Sequence, residues 1–175
     1  MIGHLTARDF KVMPWANGRG QTVEMFRVDR DGALLWRISR AAVVEDGAFS
    51  LFPGVDRNLT VISGPGFDLV GDARLRADPL RPVEFSGDLA LSAMGVTAPC
   101  DDFNVMVRRG AVRAEVAVLG GGETTGAVAL FALGPVKLGP ITMAAHDLVL
   151  ADQPLRFEGH AIVVRLVGDK PGFPA

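Results

Sequence analysis

Short runs of alternating apolar and polar residues, separated by glycine and proline, follow one another along the chain. Between residues 112 and 119, valine or alanine occupies every even position, whereas Arg113 and Glu115 occupy odd ones. Successive side chains of a strand point to opposite faces, so this alternation indicates a strand with one buried face. Further runs rich in Val, Leu, Phe and Thr lie at 58–63, 83–85, 103–108 and 161–167. Runs of about 8–12 residues with turn signals between them predict an all-β sandwich or barrel.

One longer segment, Ala33 to Asp46, contains neither glycine nor proline. Its apolar positions match a helical stripe only in part, which leaves a helix open. In a strand, Arg37 and Ser39 would share one face, and Trp36 and Ile38 would share the other. We predict a strand because the surrounding segments all have strand patterns.

A weak internal similarity suggests that one β-lobe is duplicated. Residues 77–88 resemble residues 151–160, and Gly64-Pro65 has a counterpart upstream in Gly134-Pro135. Turn-rich β sequences also resemble one another by chance, so coincidence is the alternative. We predict one domain of two barrel-like lobes, approximately residues 10–100 and 101–170. The segments Phe85-x-Gly87 and Phe157-x-Gly159 are then expected to form equivalent turns.

Composition and charge narrow the range of partners and compartments. The chain has 18 Lys+Arg against 20 Asp+Glu, a net charge of −2, and so lacks the basic excess expected of a nucleic-acid binder. A single cysteine excludes an intramolecular disulfide and a cysteine-cluster metal site. The N-terminus has no signal-peptide pattern, and the longest apolar stretch, residues 127–133, is far shorter than a membrane span. We expect a cytoplasmic protein that binds neither nucleic acid nor a membrane.

The usual catalytic and metal-binding motifs are missing from the sequence. It has no phosphate-binding Gly-x-x-x-x-Gly-Lys-Ser/Thr loop, no third glycine for a dinucleotide fingerprint and no Gly-x-Ser-x-Gly elbow. It also lacks a His-x-His pair, and a metal site built from His146, His160 and a carboxylate is the less favoured alternative. Cys100 lies beside two aspartates and is interpreted as an incidental thiol. Gly120-Gly121-Gly122 is expected to form a hairpin turn.

Three segments place polar side chains among apolar ones. In residues 14–24, a glycine-rich turn precedes a strand on which Thr22 and Glu24 share a face. In residues 36–57, Arg37 shares a face with Ser39, and Phe49 and Phe52 flank a polar turn before Arg57. A guanidinium in an apolar frame suits the capture of a carboxylate. Arg57 could equally form a structural ion pair with Asp46, Asp56 or Glu24.

The third segment, residues 102–109, alternates between an apolar and a polar face. Asp102, Asn104, Met106 and Arg108 share one face. Methionine beside asparagine can form an adaptable apolar wall with a group that both donates and accepts hydrogen bonds. A face exposed to solvent would explain the pattern nearly as well.

Together and in this order, these segments resemble the HutD/Ves family of bacterial proteins. The resemblance rests on Pro14-Trp15-x-Asn17-Gly18-x-Gly20-x-Thr22-x-Glu24, Trp36-Arg37-Ile38-Ser39, Asp46-Gly47-x-Phe49-Ser50-x-Phe52-Pro53-Gly54-x-Asp56-Arg57, Phe85-x-Gly87-Asp88 and Asp102-Phe103-Asn104-x-Met106-x-x-Arg109. It implies a cupin-type β-barrel of the RmlC-like jelly-roll form, with two lobes in one chain (a bicupin) spanning residues 1–175. It also implies a link to histidine utilisation in some members and a stress-related name in others. Arg19 interrupts the glycine run that the family commonly has. Cupin metal chemistry is not carried over, because the His-x-His set is missing.

The leading hypothesis is a non-enzymatic binder of a small carboxylate, such as urocanate or formate, that modulates histidine or amino-acid catabolism. This hypothesis requires no cofactor, metal or catalytic residue. Whether the protein forms a homodimer is left open. The expected ligand-binding residues are Asn17, Thr22, Glu24, Arg37, Arg57, Asn104 and Met106. The alternative is a metal-free isomerase, epimerase or lyase with Glu24 as general base and Arg37 or Arg57 holding an anion. A structural partner protein is a third hypothesis, which would require a large exposed apolar patch.

Overall fold

The computed structural model describes residues 3–126 and 128–168. All regular secondary structure in these ranges is β-strand. The strands are β1 Gly3–Leu5, β2 Lys11–Pro14, β3 Gln21–Arg30, β4 Ala33–Val43, β5 Gly47–Ala48, β6 Val55–Ser63, β7 Phe67–Gly71, β8 Arg74–Ala77, β9 Val83–Ser86, β10 Leu91–Met94, β11 Cys100–Arg108, β12 Val112–Glu123, β13 Val128–Ala132, β14 Val136–Leu138, β15 Ile141–Met143, β16 Leu148–Ala151 and β17 Arg156–Gly168. The predicted all-β class is confirmed. Within the same ranges, no helix is long and apolar enough to cross a membrane.

The strands form two compact units. Residues 11–110 contain a six-stranded sheet, ordered β2-β3-β4-β11-β6-β9, and a four-stranded sheet, ordered β5-β10-β7-β8. Residues 3–10 and 111–168 contain a seven-stranded sheet, ordered β1-β16-β13-β17-β14-β15, with β12 on β17. The first unit extends to residue 110 because β11 pairs with both β4 and β6, whereas the predicted limit at residue 100 would separate β11 from them.

The segment that left a helix open is the strand β4. It pairs with β3 on one side and β11 on the other, so its backbone groups are satisfied across the sheet. Trp36 and Ile38 are fully buried on one face, and Arg37 and Ser39 lie on the other. The predicted strand is confirmed, because long-range pairing on both sides outweighs a partial helical stripe.

The expected hairpin turn at Gly120-Gly121-Gly122 is wrong. These residues continue β12 as far as Glu123, with a register shift between Leu119 and Gly121. Glycine suits this bulged segment because the φ angles of Gly121 and Gly122 are +135° and +140°. The strand continues because β17 is long enough to pair with it as far as Arg156.

The two units repeat one pattern of strand pairing. In the first, β6 pairs with β9 and β11, while β7 pairs with β8 and β10. In the second, β13 pairs with β16 and β17, while β14 pairs with β15 and β17. Gly64-Pro65 and Gly134-Pro135 precede the equivalent hairpins β7–β8 and β14–β15. Duplication stays a prediction, which this repeated pairing supports.

The expected equivalence of the two Phe-x-Gly segments is wrong. Phe85 ends in β9 with Gly87 in the turn that follows, whereas Phe157 and Gly159 both lie within β17. What they share is a close backbone approach. A Cβ atom added at Gly87 would lie 2.4 Å from the carbonyl oxygen of Phe52, and one added at Gly159 would lie 2.5 Å from the carbonyl oxygen of Pro135. The resemblance between these two segments is therefore coincidental and gives no support to duplication.

The inner face of β6 positions the site. Leu59 and Val61 belong to the apolar core of the first unit, together with Phe67 and Leu69 of β7. Arg57 precedes them by two and four residues and therefore lies on the same face of the strand. One face of the six-stranded sheet thus changes along its length from apolar packing to polar side chains.

Candidate functional site

The unit of residues 11–110 contains a cavity of about 500 Å³. Strands β3, β4, β6 and β11 supply one wall, and the segments 15–17 and 48–52 supply much of the rest. Its lining residues are Trp15, Ala16, Asn17, Thr22, Arg37, Ser39, Ala41, Ala42, Val43, Ala48, Phe49, Ser50, Phe52, Arg57, Asp102, Asn104 and Met106. The structure therefore brings six of the seven expected ligand-binding residues to one cavity, all except Glu24.

The register of the sheet places the polar side chains in three neighbouring rows. Opposite residues of paired strands lie on the same face, so each row crosses the sheet without changing side. The rows are Arg57–Met106–Arg37, Asn104–Ser39–Glu24 and Asp102–Ala41–Thr22. The sequence could give the face of each strand, but only the register brings residues distant in sequence together.

Arg57 is a buried cation surrounded by aromatic rings. Its guanidinium carbon lies 5.1 Å from the ring centres of Phe52 and Phe85, and 5.4 Å from that of Phe49. The terminal nitrogens donate to Ser50 O and Asn104 Oδ1, both at 3.3 Å, and Nε has no hydrogen-bond partner in residues 3–126 and 128–168. Burial lowers the pKa of Arg57 to about 10, although Asp102 acts in the opposite direction. Its charge is therefore stabilised only weakly.

None of the carboxylates considered as ion-pair partners of Arg57 fills that role. Asp56 pairs with Arg109 at 2.8 Å, and Asp46 accepts a backbone hydrogen bond from Val96. Glu24 lies 2.8 Å from Nε of Arg37. Among the described residues, Arg57 forms no salt bridge, so the alternative of a structural ion pair with Asp46, Asp56 or Glu24 is wrong.

Arg37 and Glu24 form a separate ion pair. Both side chains are largely buried, and the N–H of Arg37 Nε is not aligned with the carboxylate as in a hydrogen bond. Glu24 is held by this cation and does not line the cavity, so its carboxylate is not placed to accept a proton from a ligand bound there. Arg37 itself lines the cavity.

Asp102 is the polar residue that the sequence analysis placed on the correct face but left out of the site. It is 2% exposed, and its Oδ1 accepts a hydrogen bond of 2.5 Å from Asn104 Nδ2. Burial raises the pKa of Asp102 to about 7, against the opposing effects of Arg57 and Asn104. The alternation of Asp102, Asn104 and Met106 was the available signal, whereas complete burial could not be inferred from it.

The remaining expected residues, Asn17 and Thr22, hold the loop beside the cavity. Thr22 Oγ1 accepts a hydrogen bond from the Trp15 indole at 2.9 Å, and Asn17 Oδ1 accepts one from the Arg19 backbone, also at 2.9 Å. A Cβ atom at Gly20 would lie 2.7 Å from the Trp15 ring. Glycine at this position therefore allows the indole to pack where it does.

The donors of this cavity do not fit a cupin metal site. Its lining contains two guanidinium groups, which cannot ligate a metal, and one carboxyl group, that of Asp102. His4 pairs with Asp147, and His146 stacks on Phe131; neither lines the cavity. In residues 3–126 and 128–168, no group of three histidine, cysteine or acidic residues could hold a metal ion.

Comparison with known proteins gives relatives along most of the chain. The family model described as HutD matches residues 7–161. An uncharacterized 21.2 kDa protein in the hutC 3' region of Pseudomonas putida is 37% identical over 107 residues, 58% of this chain and 56% of that protein. Protein Ves of Cronobacter sakazakii is 35% identical over 124 residues, 67% of this chain and 68% of that protein. The chain thus spans little more than half the length of the Pseudomonas putida relative.

Solved structures give the same family and the fold. HutD from Pseudomonas fluorescens SBW25, in a formate condition, is 30% identical with a TM-score of 0.87, covering 97% of this chain and 100% of that one. A cupin 2 conserved barrel domain protein from Leptotrichia buccalis is 8% identical with a TM-score of 0.52, covering 85% and 88%, and shows the fold alone. The cupin-like β-barrel class is confirmed. Because the HutD family model matches well over half of this chain, the chain belongs to the HutD family.

Proposed function

We propose that the protein binds a small carboxylate in this cavity through Arg57. The observation that carries the proposal is a buried guanidinium on the cavity wall that has no salt bridge among the described residues. A buried cation is costly unless an anion pairs with it, and a guanidinium binds a carboxylate through two parallel hydrogen bonds. Arg37, in the same cross-strand row, also lines the cavity, but its charge is paired with that of Glu24, which leaves Arg57 as the available cation.

The walls favour a carboxylate with a flat unsaturated part. Phe49, Phe52 and Trp15 line the cavity near polar groups, and Met106 lies between the two arginines in the row. A cavity of about 500 Å³ falls in the usual range for organic ligands and is far larger than formate requires. Urocanate, a planar acid with a conjugated ring, fits this description. Formate is the smallest ligand to test, because the similar HutD structure was obtained in a formate condition.

We further propose that binding serves to modulate histidine or amino-acid catabolism in the cytoplasm. The family name and the hutC-region name of the Pseudomonas putida relative support the metabolic link. Two arginines and two asparagines lie in the cavity lining, and these side chains bind ligands rather than act as nucleophiles.

Isothermal titration with urocanate, formate and the uncharged amide of urocanate tests the proposal. We expect saturable binding of urocanate, weaker binding of formate and no binding of the amide, because only the acids neutralise Arg57. Equal binding of acid and amide, or no binding of either acid, would contradict it. Light scattering on the same samples tests whether the protein forms a homodimer.

The enzymatic alternative has a separate test. A metal-free isomerase, epimerase or lyase would turn over a bound carboxylate, with Glu24 as the base expected from the sequence. The ion pair between Glu24 and Arg37 argues against an available base at this position. Chromatography of urocanate after prolonged incubation should show no conversion. Product formed by the wild type and lost in Glu24→Gln, with binding retained, would favour the enzyme.

A further inference from the structure

We propose that carboxylate binding at Arg57 is coupled to the uptake of one proton by the carboxyl group of Asp102. This inference rests on the proposed function and states how the same site would be regulated. The proton comes from solvent or buffer and forms an O–H bond on Asp102. No other bond of protein or ligand forms or breaks, so the step is a proton transfer alone.

The geometry connects the two groups through one side chain. Asn104 donates from Nδ2 to Asp102 Oδ1 and accepts at Oδ1 from Arg57 Nη2. Both carboxyl and guanidinium are buried, at 2% and 6% exposure, so water screens their interaction little. A change of charge at either group therefore changes the electrostatic energy of the other.

The charged groups on the same sheet as Asp102 lie on the paired strands β4 and β6, on β3 beyond β4, and on its own strand β11. Strand β6 contributes Arg57, β4 contributes Arg37, and β3 contributes Glu24, which is paired with Arg37. Asp101 is adjacent on β11, and its negative charge disfavours ionisation of Asp102. The cavity-lining residues of segments 15–17 and 48–52 carry no charged side chain.

Charge balance then requires the proton. Glu24 neutralises Arg37, which leaves Arg57 and Asp102 as the second pair of opposite charges. A ligand carboxylate at Arg57 would add a negative charge and place two anions around one cation. Because Asp102 and Arg57 are buried, this excess of negative charge is unfavourable, and protonation of Asp102 restores neutrality.

The titration of Asp102 lies in a useful range. Burial already raises its pKa to about 7, so the group is largely ionised only above neutral pH. A bound carboxylate would raise the pKa of Asp102 further, both by its own charge and by weakening the attraction of Arg57. Ligand binding and proton binding should therefore strengthen each other, as thermodynamic linkage requires.

Calorimetric titration at about pH 8 in buffers of different ionisation enthalpy counts the protons directly. The probe is trans-cinnamate, which keeps the acrylate and a flat ring but has no group that titrates between about pH 6 and 9. We expect uptake of between one half and one proton per ligand, and a dissociation constant that rises up to about tenfold from pH 7.5 to 8.5. Binding with no buffer dependence would overturn the coupling while leaving the proposed function intact. Absence of binding by cinnamate, urocanate and formate alike would overturn both.

Two variants assign the proton to its residue. Asp102→Asn is neutral and nearly isosteric, so it should bind cinnamate without proton uptake and with an affinity independent of pH over this range. Asp101→Asn is the matched control, since Asp101 precedes Asp102 but does not line the cavity, and it should keep the uptake. Uptake that persists in folded Asp102→Asn would overturn the assignment. If that variant does not fold, the buffer dependence of the wild type decides the coupling.

Discussion

Replacing Arg57 by methionine separates a binding role from a structural one. The lowering of the pKa of Arg57 to about 10 corresponds, at about 1.4 kcal/mol for each pKa unit, to roughly 3 kcal/mol of unfavourable burial. Contacts of this buried cation with three phenylalanine rings return about 1–2 kcal/mol each. These two terms oppose each other, and methionine keeps part of the aromatic contact. We therefore expect the free energy of unfolding to fall by less than about 2 kcal/mol.

Binding should respond much more strongly than stability. A charged hydrogen bond contributes about 1.5–3 kcal/mol, so Arg57→Met should weaken urocanate binding by about 10-fold to 150-fold. Arg27→Met is the matched control, because it removes the same charge from an exposed side chain paired with Asp29. Urea denaturation and isothermal titration should show both variants folded and only Arg27→Met binding normally.

A large loss of stability with little loss of binding in Arg57→Met would contradict a binding role for Arg57. If Arg57→Met lost 3 kcal/mol or more of stability, the guanidinium would be a structural element of the aromatic cluster. If it bound urocanate as tightly as Arg27→Met does, the site would be elsewhere.

Three further predictions concern pH, backbone packing and the loop beside the cavity. Because the pKa of Asp102 is raised by burial, its stabilising contribution is complete below the pKa of an unfolded aspartate and is lost as the pH rises through about 7. The stability of the wild type relative to Asp102→Asn should therefore fall by about 3–4 kcal/mol between about pH 4 and 8 in urea denaturation, and a flat difference would refute the raised pKa. Gly159→Ala should lower the free energy of unfolding by more than about 2 kcal/mol, because φ is +111° and the new Cβ would contact the carbonyl oxygen of Pro135. Gly134→Ala is the control: the added Cβ has open space and should change the free energy of unfolding by less than about 1 kcal/mol. Equal effects of the two substitutions would contradict this packing. Thr22→Val should weaken urocanate binding by a few-fold, because it removes the hydrogen bond from the Trp15 indole, worth about 1 kcal/mol. Thr142→Val, in the other unit, should leave the affinity for urocanate unchanged. Unchanged affinity in both variants would show that the loop does not matter for binding.

Strand faces were the part of the fold that local pattern could predict. The alternation around Arg37 and Asn104 gave the correct face, because side-chain direction depends only on position along the strand. It could not show that Met106 pairs with both Arg37 and Arg57, because register depends on partners far away in sequence. The triple glycine was predicted as a turn for the same reason, since only pairing with β17 makes it part of a strand.

Ionic partners were harder to predict than faces. Arg57 has several acidic neighbours in sequence, and the structure commits Asp56 to Arg109 and Glu24 to Arg37. Asp102 could be placed on the polar face, but its charge state depends on complete burial and on a hydrogen bond with Asn104. Charge pairing is decided by three-dimensional distances, whereas alternation is a property of the strand alone.

A crystal structure of the protein with urocanate tests the central claim most directly. We expect the urocanate carboxylate inside the cavity of residues 11–110, within hydrogen-bond distance of the Arg57 guanidinium, and its ring against Phe49 or Phe52. Urocanate bound outside this cavity, or inside it with the carboxylate directed away from both Arg57 and Arg37, would show that Arg57 is not the binding group.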